Sequence, residues 1–259
     1  MSESGAGSDA AALNTTATRA GDHYILNGTK QFISGAGAAD FYFVFARTGS
    51  EGANGISAFA VMKGTPGLSF GANERKMGWN AQPTRQVRFE NCKVASGDRI
   101  GQEGRGFSIA MSGLDGGRIN IGACSAGAAW AALDKARAYS RERTAFGRQI
   151  ADFQALNFKI ADMATELEAA RLMIYRAADA IDRADPHATL YSAMAKRIAT
   201  DLGFKVCNEA LQIHGGYGYL KDYGLEKLVR DLRVHQILEG TNEIMRVVIA
   251  RKLLGGNRG

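Results

Sequence analysis

The chain has three cysteines (Cys92, Cys124, Cys207) and four histidines in 259 residues, and neither type clusters. No CxxC pair occurs, so neither a zinc site nor a disulfide framework nor any other metal site is expected, and a reducing compartment fits best. That compartment is the cytoplasm, or the mitochondrial matrix in a eukaryote. Long apolar runs are missing too: no stretch reaches the length of a transmembrane helix, so no membrane span is expected. The N-terminus, MSESGAGSDA, lacks the basic-then-apolar pattern of a leader. There is no internal repeat, no basic low-complexity arm and no RNA-binding signature, and nucleic acid is not expected as a partner. What is present is ordinary for a globular protein, with 46% apolar and 22% charged residues. The net charge of +6 suits phosphate-bearing small molecules.

The pattern changes near residue 103. Before it, short β-branched and aromatic runs alternate with Gly and Asn. HYILNGTKQFIS (23–34) places Asn27-Gly28 between apolar stretches, which predicts a hairpin. FYFVFAR (41–47), ISAFAVMKG (56–64), LSF (68–70) and QVRFENCKV (86–94) read as further strands, with Pro66 and Pro83 in turns. After residue 103 the pattern is helical. Residues 107–147 form a long Ala-rich stretch with an irregularity expected at Gly116-Gly117. Phe153, Leu156, Ile160, Met163, Leu167 and Ile174 recur at helical spacing. Asp185-Pro186 breaks that helix, and others follow over about 187–213, 222–233 and 242–254, with the tail GGNRG expected to fray. The fold class is therefore α+β: a small antiparallel β-domain (1–103), then an antiparallel helical bundle (104–259). Trp130, Met163, Met173 and Met194 read as core.

Four segments carry candidate chemistry. HQILEGTNEIMR (235–246) sets Glu239 after Ile237 and Leu238. An apolar flank raises a carboxyl pKa, and a carboxylate tuned that way can take a proton from carbon. The same residues also suit a plainer role, with Glu239 ending one helix and Thr241 or Asn242 capping the next. GAGSD (5–9) lets main-chain N–H groups approach a phosphate or a flavin edge, or is simply a flexible terminus. RTAFGR (143–148) offers Arg143 to a pyrophosphate, or is a basic helix end. QIHGGYGY (212–219) has a Gly pair that allows close approach of a ligand, or serves as a helix C-cap.

In this order and spacing, GAGSD, GLDGGRINIG, RTAFG, QIHGGYGYLKDY and HQILEGTNEIMR give a chain that resembles the acyl-CoA dehydrogenase family along essentially its whole length. The resemblance implies an FAD-dependent enzyme that removes the α-proton and β-hydride of a short branched acyl-CoA, with Glu239 as the base. Some relatives place the base on the long helix, where this chain has Gly116 and Gly117. The resemblance assigns flavin contacts to Met1, Ser2, Glu3, Gly5, Ala6, Gly7 and Ser8, and to Phe32, Ile33 and Ser34. It assigns Arg143, Phe146, Gln154, Gln212, Ile213, His214, Gly215 and Gly216 to the adenine and pyrophosphate end, reached across a subunit boundary. Thr241, Asn242 and Glu243 complete the flavin set. Acyl-CoA contacts fall to Ser8, Asp115, Gly116, Gly117, Arg118, Gly240 and Arg251. The implied partners are an electron-transfer flavoprotein and further copies of the chain, as a dimer or a dimer of dimers. Family members carry a further N-terminal helical domain. A fragment that folds and oligomerises without turnover is the alternative reading.

Overall fold

A computed structural model describes residues 1–255. It divides into two compact units, Met1–Gly113 and Leu114–Gly259. The GGNRG tail lies outside the described residues beyond Gly255.

The first unit is a sheet of seven strands: β1 (Thr16–Ala20), β2 (His23–Ser34), β3 (Phe41–Arg47), β4 (Ile56–Met62), β5 (Leu68–Phe70), β6 (Thr84–Ala95) and β7 (Arg99–Ile100). Their order across the sheet is β5-β6-β2-β1-β3-β4-β7. All neighbours are antiparallel except β1 and β3, which meet at the single parallel pair Thr16–Arg47. In β3 the alternation is clean at its start, with Tyr42 and Val44 buried and Phe41 and Phe43 exposed. In β4 it is lost, because both faces are covered. Phe59 and Val61 join a core with Tyr24, Leu26 and Phe89. Ile56 and Ala58 pack with Ala6, Leu13, Phe45 and Ala110. Ala110 belongs to the first turns of the long helix α1 (Gly106–Glu142), which is why this unit extends to Gly113.

Asn27-Gly28 is not a hairpin. β2 runs unbroken through it, and the reversal lies at Gly21-Asp22, between the paired Ala20 and His23. Gly28 instead marks a bulge against β6, at φ +145°, where a Cβ would come within 2.7 Å of the Thr15 main chain. Close approach of a neighbouring strand, rather than a turn, is what requires glycine there. β1, with the sequence TATRA, buries only Ala17 and carries little hydrophobic signal.

The second unit is helical. The rest of α1 is followed by α2 (Gln154–Asp182), α3 (Ala188–His214), α4 (Leu225–Arg233) and α5 (Asn242–Leu254). α1 passes through Gly116-Gly117 without a break, so the expected irregularity is absent. Two adjacent glycines inside a 37-residue helix lower its propensity without stopping it. RTAFGR lies beyond the helix end, not within it. α1 stops at Glu142, and a short hairpin, β8 (Thr144–Ala145) with β9 (Arg148–Gln149), turns at Phe146-Gly147. In one core cluster Met163 and Leu167, early in α2, meet Val206, Ala210 and Ile213, late in α3. In another Ile174 and Ala177, late in α2, meet Ala195 and Ala199, early in α3. These helices are therefore antiparallel. Many of the contacts are alanine, and at Gly203 a Cβ would fall 2.4 Å from Ser125 Oγ, so α1 and α3 approach closely.

Candidate active site

Glu239 sits in the turn between α4 and α5. Its φ is +55° and that of Gly240 is +90°, so two successive residues are left-handed. Thr241 then caps α5, its Oγ1 accepting from Ile244 N at 3.3 Å. The capping role thus belongs to Thr241 and not to Asn242, whose buried amide donates to Asp201 Oδ1 (2.7 Å) and Thr200 Oγ1 (2.9 Å).

The Glu239 carboxylate lies over Gly117 of α1: a Cβ at Gly117 would stand 2.5 Å from Oε2. The glycine is what leaves room for it. Burial raises the Glu239 carboxyl above its usual value, while Arg118 and Lys196 pull the other way. The sequence suggested that Ile237 and Leu238 would supply the apolar cover, but Ile237 is 51% exposed and covers little. No donor to either carboxylate oxygen is present among the described residues.

Arg118, itself buried, donates from Nε to the Glu239 carbonyl (3.4 Å) and from Nη1 to Asp115 Oδ1 (2.8 Å). Asp115 also accepts from Thr189 Oγ1 at 2.6 Å. The structure thus brings Asp115, Gly117, Arg118, Glu239 and Gly240 together. Arg251, in the last turn of α5, is exposed.

Sequence reasoning missed Lys196, Thr200 and Asp201 of α3. Lys196 is fully buried and donates to the Gly240 carbonyl and to Asn242 Oδ1, each at 2.8 Å. A signal was available. Ala193, Lys196, Thr200, Gly203, Cys207 and Ala210 share one buried helical face, and a lysine on such a face needs partners.

A second group in this unit lines a groove of about 460 Å³. Arg143, Gln212, Ile213, His214, Gly215 and Gly216 all border it, beside Tyr139 and Tyr217. Tyr139 stacks on His214 at 4.2 Å, and the Arg143 guanidinium lies 5.7 Å from the Tyr217 ring centre. Burial lowers the His214 pKa, while the pairing of its Nδ1 with the Ala210 carbonyl opposes that shift. Gly215, at φ +58°, also closes α3, so its C-cap role and its place in the groove coexist. Phe146 and Gln154 do not line the groove. Phe146 is 96% exposed at the hairpin tip, and Gln154 is exposed at the start of α2. Thr241, Asn242 and Glu243 border a smaller recess of about 200 Å³ with Arg233 and Arg246.

In the first unit Gln31 N donates to Ser2 O at 2.8 Å, which sets Met1–Glu3 beside the strand segment Phe32–Ser34. Gly5, Gly7 and Ser8 are exposed and Ala6 is buried. Glu3 is committed internally: its carboxylate accepts from Lys30 Nζ (2.8 Å), Thr15 Oγ1 (2.6 Å) and the N–H groups of Asn14 and Thr15. Phe32 is 65% exposed at φ +58°, in the bulge of β2. Phe32, Phe146 and Glu239 are three of the six non-glycine residues at positive φ among the described residues. Strain of this kind gathers at functional positions.

Two sequence families match. The acyl-CoA dehydrogenase middle domain covers residues 1–92 and the C-terminal domain covers residues 104–254. The mitochondrial isobutyryl-CoA dehydrogenase of Bos taurus is 58% identical over 98% of this chain, and the chain spans 61% of its length. Among solved structures, butyryl-CoA dehydrogenase of Megasphaera elsdenii superposes with a TM-score of 0.96 at 45% identity, over 98% of this chain and 66% of that one. A chain in a structure of the electron transferring flavoprotein of Acidaminococcus fermentans gives 0.96 at 49% identity, over 98% and 67%. The family is one of FAD-dependent flavoproteins. Fold, matched domains and identity agree, and the chain belongs to the acyl-CoA dehydrogenase family.

Proposed function

We propose that this protein, as the greater part of a longer relative or by itself, carries the catalytic machinery of an FAD-dependent acyl-CoA dehydrogenase for short branched acyl groups such as isobutyryl. The observation that carries this reading is the Glu239 carboxylate, laid over Gly117 with its pKa raised by burial and with no donor to it among the described residues. A carboxylate so placed is a proton acceptor kept waiting for a weak carbon acid.

The α-proton of the thioester passes to the Glu239 carboxylate. As it leaves, negative charge builds on the thioester oxygen, and the Glu239 main-chain N–H, which has no acceptor among the described residues, is a donor for it. When bound, FAD would supply the acceptor for the β-hydride, so that loss of the α-proton and β-hydride, two electrons in all, would leave the α,β-unsaturated acyl-CoA. Arg118 and Asp115 hold each other and keep the wall beside Glu239 rigid. The groove suits the adenine and pyrophosphate half of FAD. It has one guanidinium, the Gln212 amide, aromatic rings, and a Gly215-Gly216 main chain with nothing within 4 Å of where a Cβ would stand. A volume of this order is usual for ligand sites, about 300–1,000 Å³. Phe146 and Gln154, outside the groove, are assigned to the same cofactor through a neighbouring copy in a dimer or a dimer of dimers. Met1–Ser8, Phe32–Ser34, Thr241 and Glu243 are assigned to the flavin, and Ser8 and Arg251 to CoA. An electron-transfer flavoprotein is the proposed electron acceptor. Cysteine usage and the mitochondrial relative favour a reducing compartment, the matrix in a eukaryote.

Protein incubated with FAD and then desalted is expected to be yellow, and anaerobic isobutyryl-CoA is expected to bleach it faster than butyryl- or 2-methylbutyryl-CoA does. A colourless product favours the second reading, a fragment without turnover, which the 61% span of the bovine relative keeps open.

Gly117→Ala separates site from scaffold. Its Cβ would meet the carboxylate at 2.5 Å, and a flexible side-chain end can yield. Stability is expected to hold or to rise by up to about 1 kcal/mol, since alanine is the better helix former. The bleaching rate is expected to fall about 100-fold, because the base is displaced by roughly an ångström. Thermal unfolding and stopped-flow absorbance check the two halves, and an unchanged rate would remove Gly117 from the site.

A further inference from the structure

We propose that Lys196 is a positioning residue for Glu239: its ammonium and the Arg118 guanidinium pin the two successive carbonyls of the Glu239–Gly240 turn, and so fix where the carboxylate points. The inference rests on Glu239 being the base.

The turn is left-handed at both residues, and a glutamate in that region persists only where its surroundings hold it. The surroundings here are specific. Arg118 Nε reaches the Glu239 carbonyl from α1 at 3.4 Å, and Lys196 Nζ reaches the Gly240 carbonyl from α3 at 2.8 Å. Lys196 also grips Asn242 Oδ1 at 2.8 Å, just past the turn. One helical step further along α3, Thr200 and Asp201 take the Asn242 amide, and Asp201 Oδ1 accepts from Gln236 Nε2 at 2.9 Å, just before the turn. Both ends of the segment 236–242 are therefore tied to one stretch of α3.

Packing alone does not call for this lysine. It is fully buried on a face that also carries Ala193, Thr200, Gly203, Cys207 and Ala210, and an apolar side chain would occupy that space without burying a charge. The ammonium is held by a carbonyl and an amide oxygen, and no carboxylate among the described residues is in ion-pair contact with it. Burial brings its pKa down to about 8, with Asp201 opposing. The charged and titratable groups around the turn are Arg118 and Asp115 from α1, Lys196 and Asp201 from α3, Glu243 from α5, and Asp231 and His235 ahead of it. Of these, Arg118 and Lys196 are the ones that counter the upward pull of burial on Glu239.

The test uses the full chain with Lys196→Met, which removes charge and donors, and Lys196→Gln, which keeps a donor without the charge. The first readout needs no flavin: a ¹³C NMR titration of glutamate carboxyls, with the Glu239 signal assigned by its loss in Glu239→Gln. Its midpoint is expected about one pH unit higher in both variants. The second readout is FAD-loaded turnover of isobutyryl-CoA. In Lys196→Met, kcat is expected to fall about 100-fold with KM little changed, and the acidic limb of the pH profile to move up with the NMR midpoint. Lys196→Gln is expected to recover part of kcat but to keep the displaced limb. A lysine that merely stabilises the fold would lower Tm and leave both midpoint and limb in place, which overturns the proposal. Should neither variant fold, Lys196→Arg decides: charge is kept, so the Glu239 midpoint should stay within about 0.3 pH units while kcat drops, and an unchanged kcat overturns it. If wild type itself fails to turn over, the proposed reaction falls, and the titration still judges Lys196.

Discussion

Glu239→Gln is expected to keep FAD bound and to slow substrate-driven bleaching by about 10²–10⁴-fold, the usual loss when a positioned base is removed. The substitution preserves shape, so the left-handed turn, the Thr241 cap and the contact over Gly117 all remain. What disappears is the lone pair that receives the α-proton. Stability is expected to move the other way. The folded-state pKa of Glu239 is raised by burial, so between its unfolded and folded values the folded chain binds the extra proton, and above both values the ionised group weakens the fold. A neutral amide removes that penalty, and Tm at pH 7 should equal or exceed that of wild type. Anaerobic stopped-flow absorbance at the flavin band, paired with thermal unfolding, measures both effects. Bleaching at the wild-type rate would refute Glu239 as base.

That opposition of activity and stability also explains which parts of this molecule could be read from its sequence. The helices α2 and α3 are long and periodic, and the shorter α5 begins and ends where the apolar pattern does, at residues 242 and 254. Periodicity reports one face of one element, and it succeeds where a single core decides that face. It fails where a second chain segment intrudes. Asn27-Gly28 reads as a turn because nothing local reveals that Thr15 lies against Gly28. Gly116-Gly117 reads as a break because nothing local reveals that a carboxylate from residue 239 lies over it. Gly28 and Gly117 both read as exceptional in the sequence, but the local reading gives the wrong reason for each. Close approach from a distance of many residues, not local chain reversal, requires them. The same blindness hid Lys196. Its sequence neighbours are ordinary helix formers, while its partners are 44 and 46 residues away. The site residues that were legible are those set by motif, Glu239 and the groove glycines. The residues that hold them in place are scattered through α1 and α3, and geometry alone assembles them.

A corresponding support exists in the first unit, and Lys30→Met tests it: the variant is expected to lose about 3–5 kcal/mol of unfolding free energy. Lys30 and Glu3 form an ion pair at 2.8 Å with both side chains buried. Burial alone would raise the Glu3 carboxyl, but hydrogen bonds from Lys30, Thr15 and the Asn14 N–H outweigh it and hold the pKa at about 2. Lys30 completes its shell at the Phe45 carbonyl, 2.6 Å away. Removing the ammonium leaves a buried carboxylate without its counter-charge, and that uncompensated charge is the main loss. The pH dependence follows from the sign of the Glu3 displacement. Its folded pKa lies below the unfolded value of 4.5, so the stability it contributes is complete above that value and is lost as pH falls toward 2. In Lys30→Met the folded Glu3 carboxyl moves back up toward the unfolded value, so less stability should be lost between pH 4.5 and 2 than in wild type. Urea unfolding at pH 7 and at pH 3 measures both, and the wild-type advantage should shrink at the lower pH. Adding Glu3→Gln should restore part of the loss, because the two effects share one interaction. The consequence reaches the loop as well. Glu3 exchanges main-chain hydrogen bonds with Ala6 in both directions, at 3.0 and 3.1 Å, so the same residue that answers Lys30 also folds the Gly5–Ser8 loop back on itself. If that loop holds flavin, Lys30→Met weakens FAD retention even where the chain stays folded. A variant that unfolds within about 1 kcal/mol of wild type would mean that water or a neighbouring donor replaces the ammonium, and the supporting role of this pair would be withdrawn.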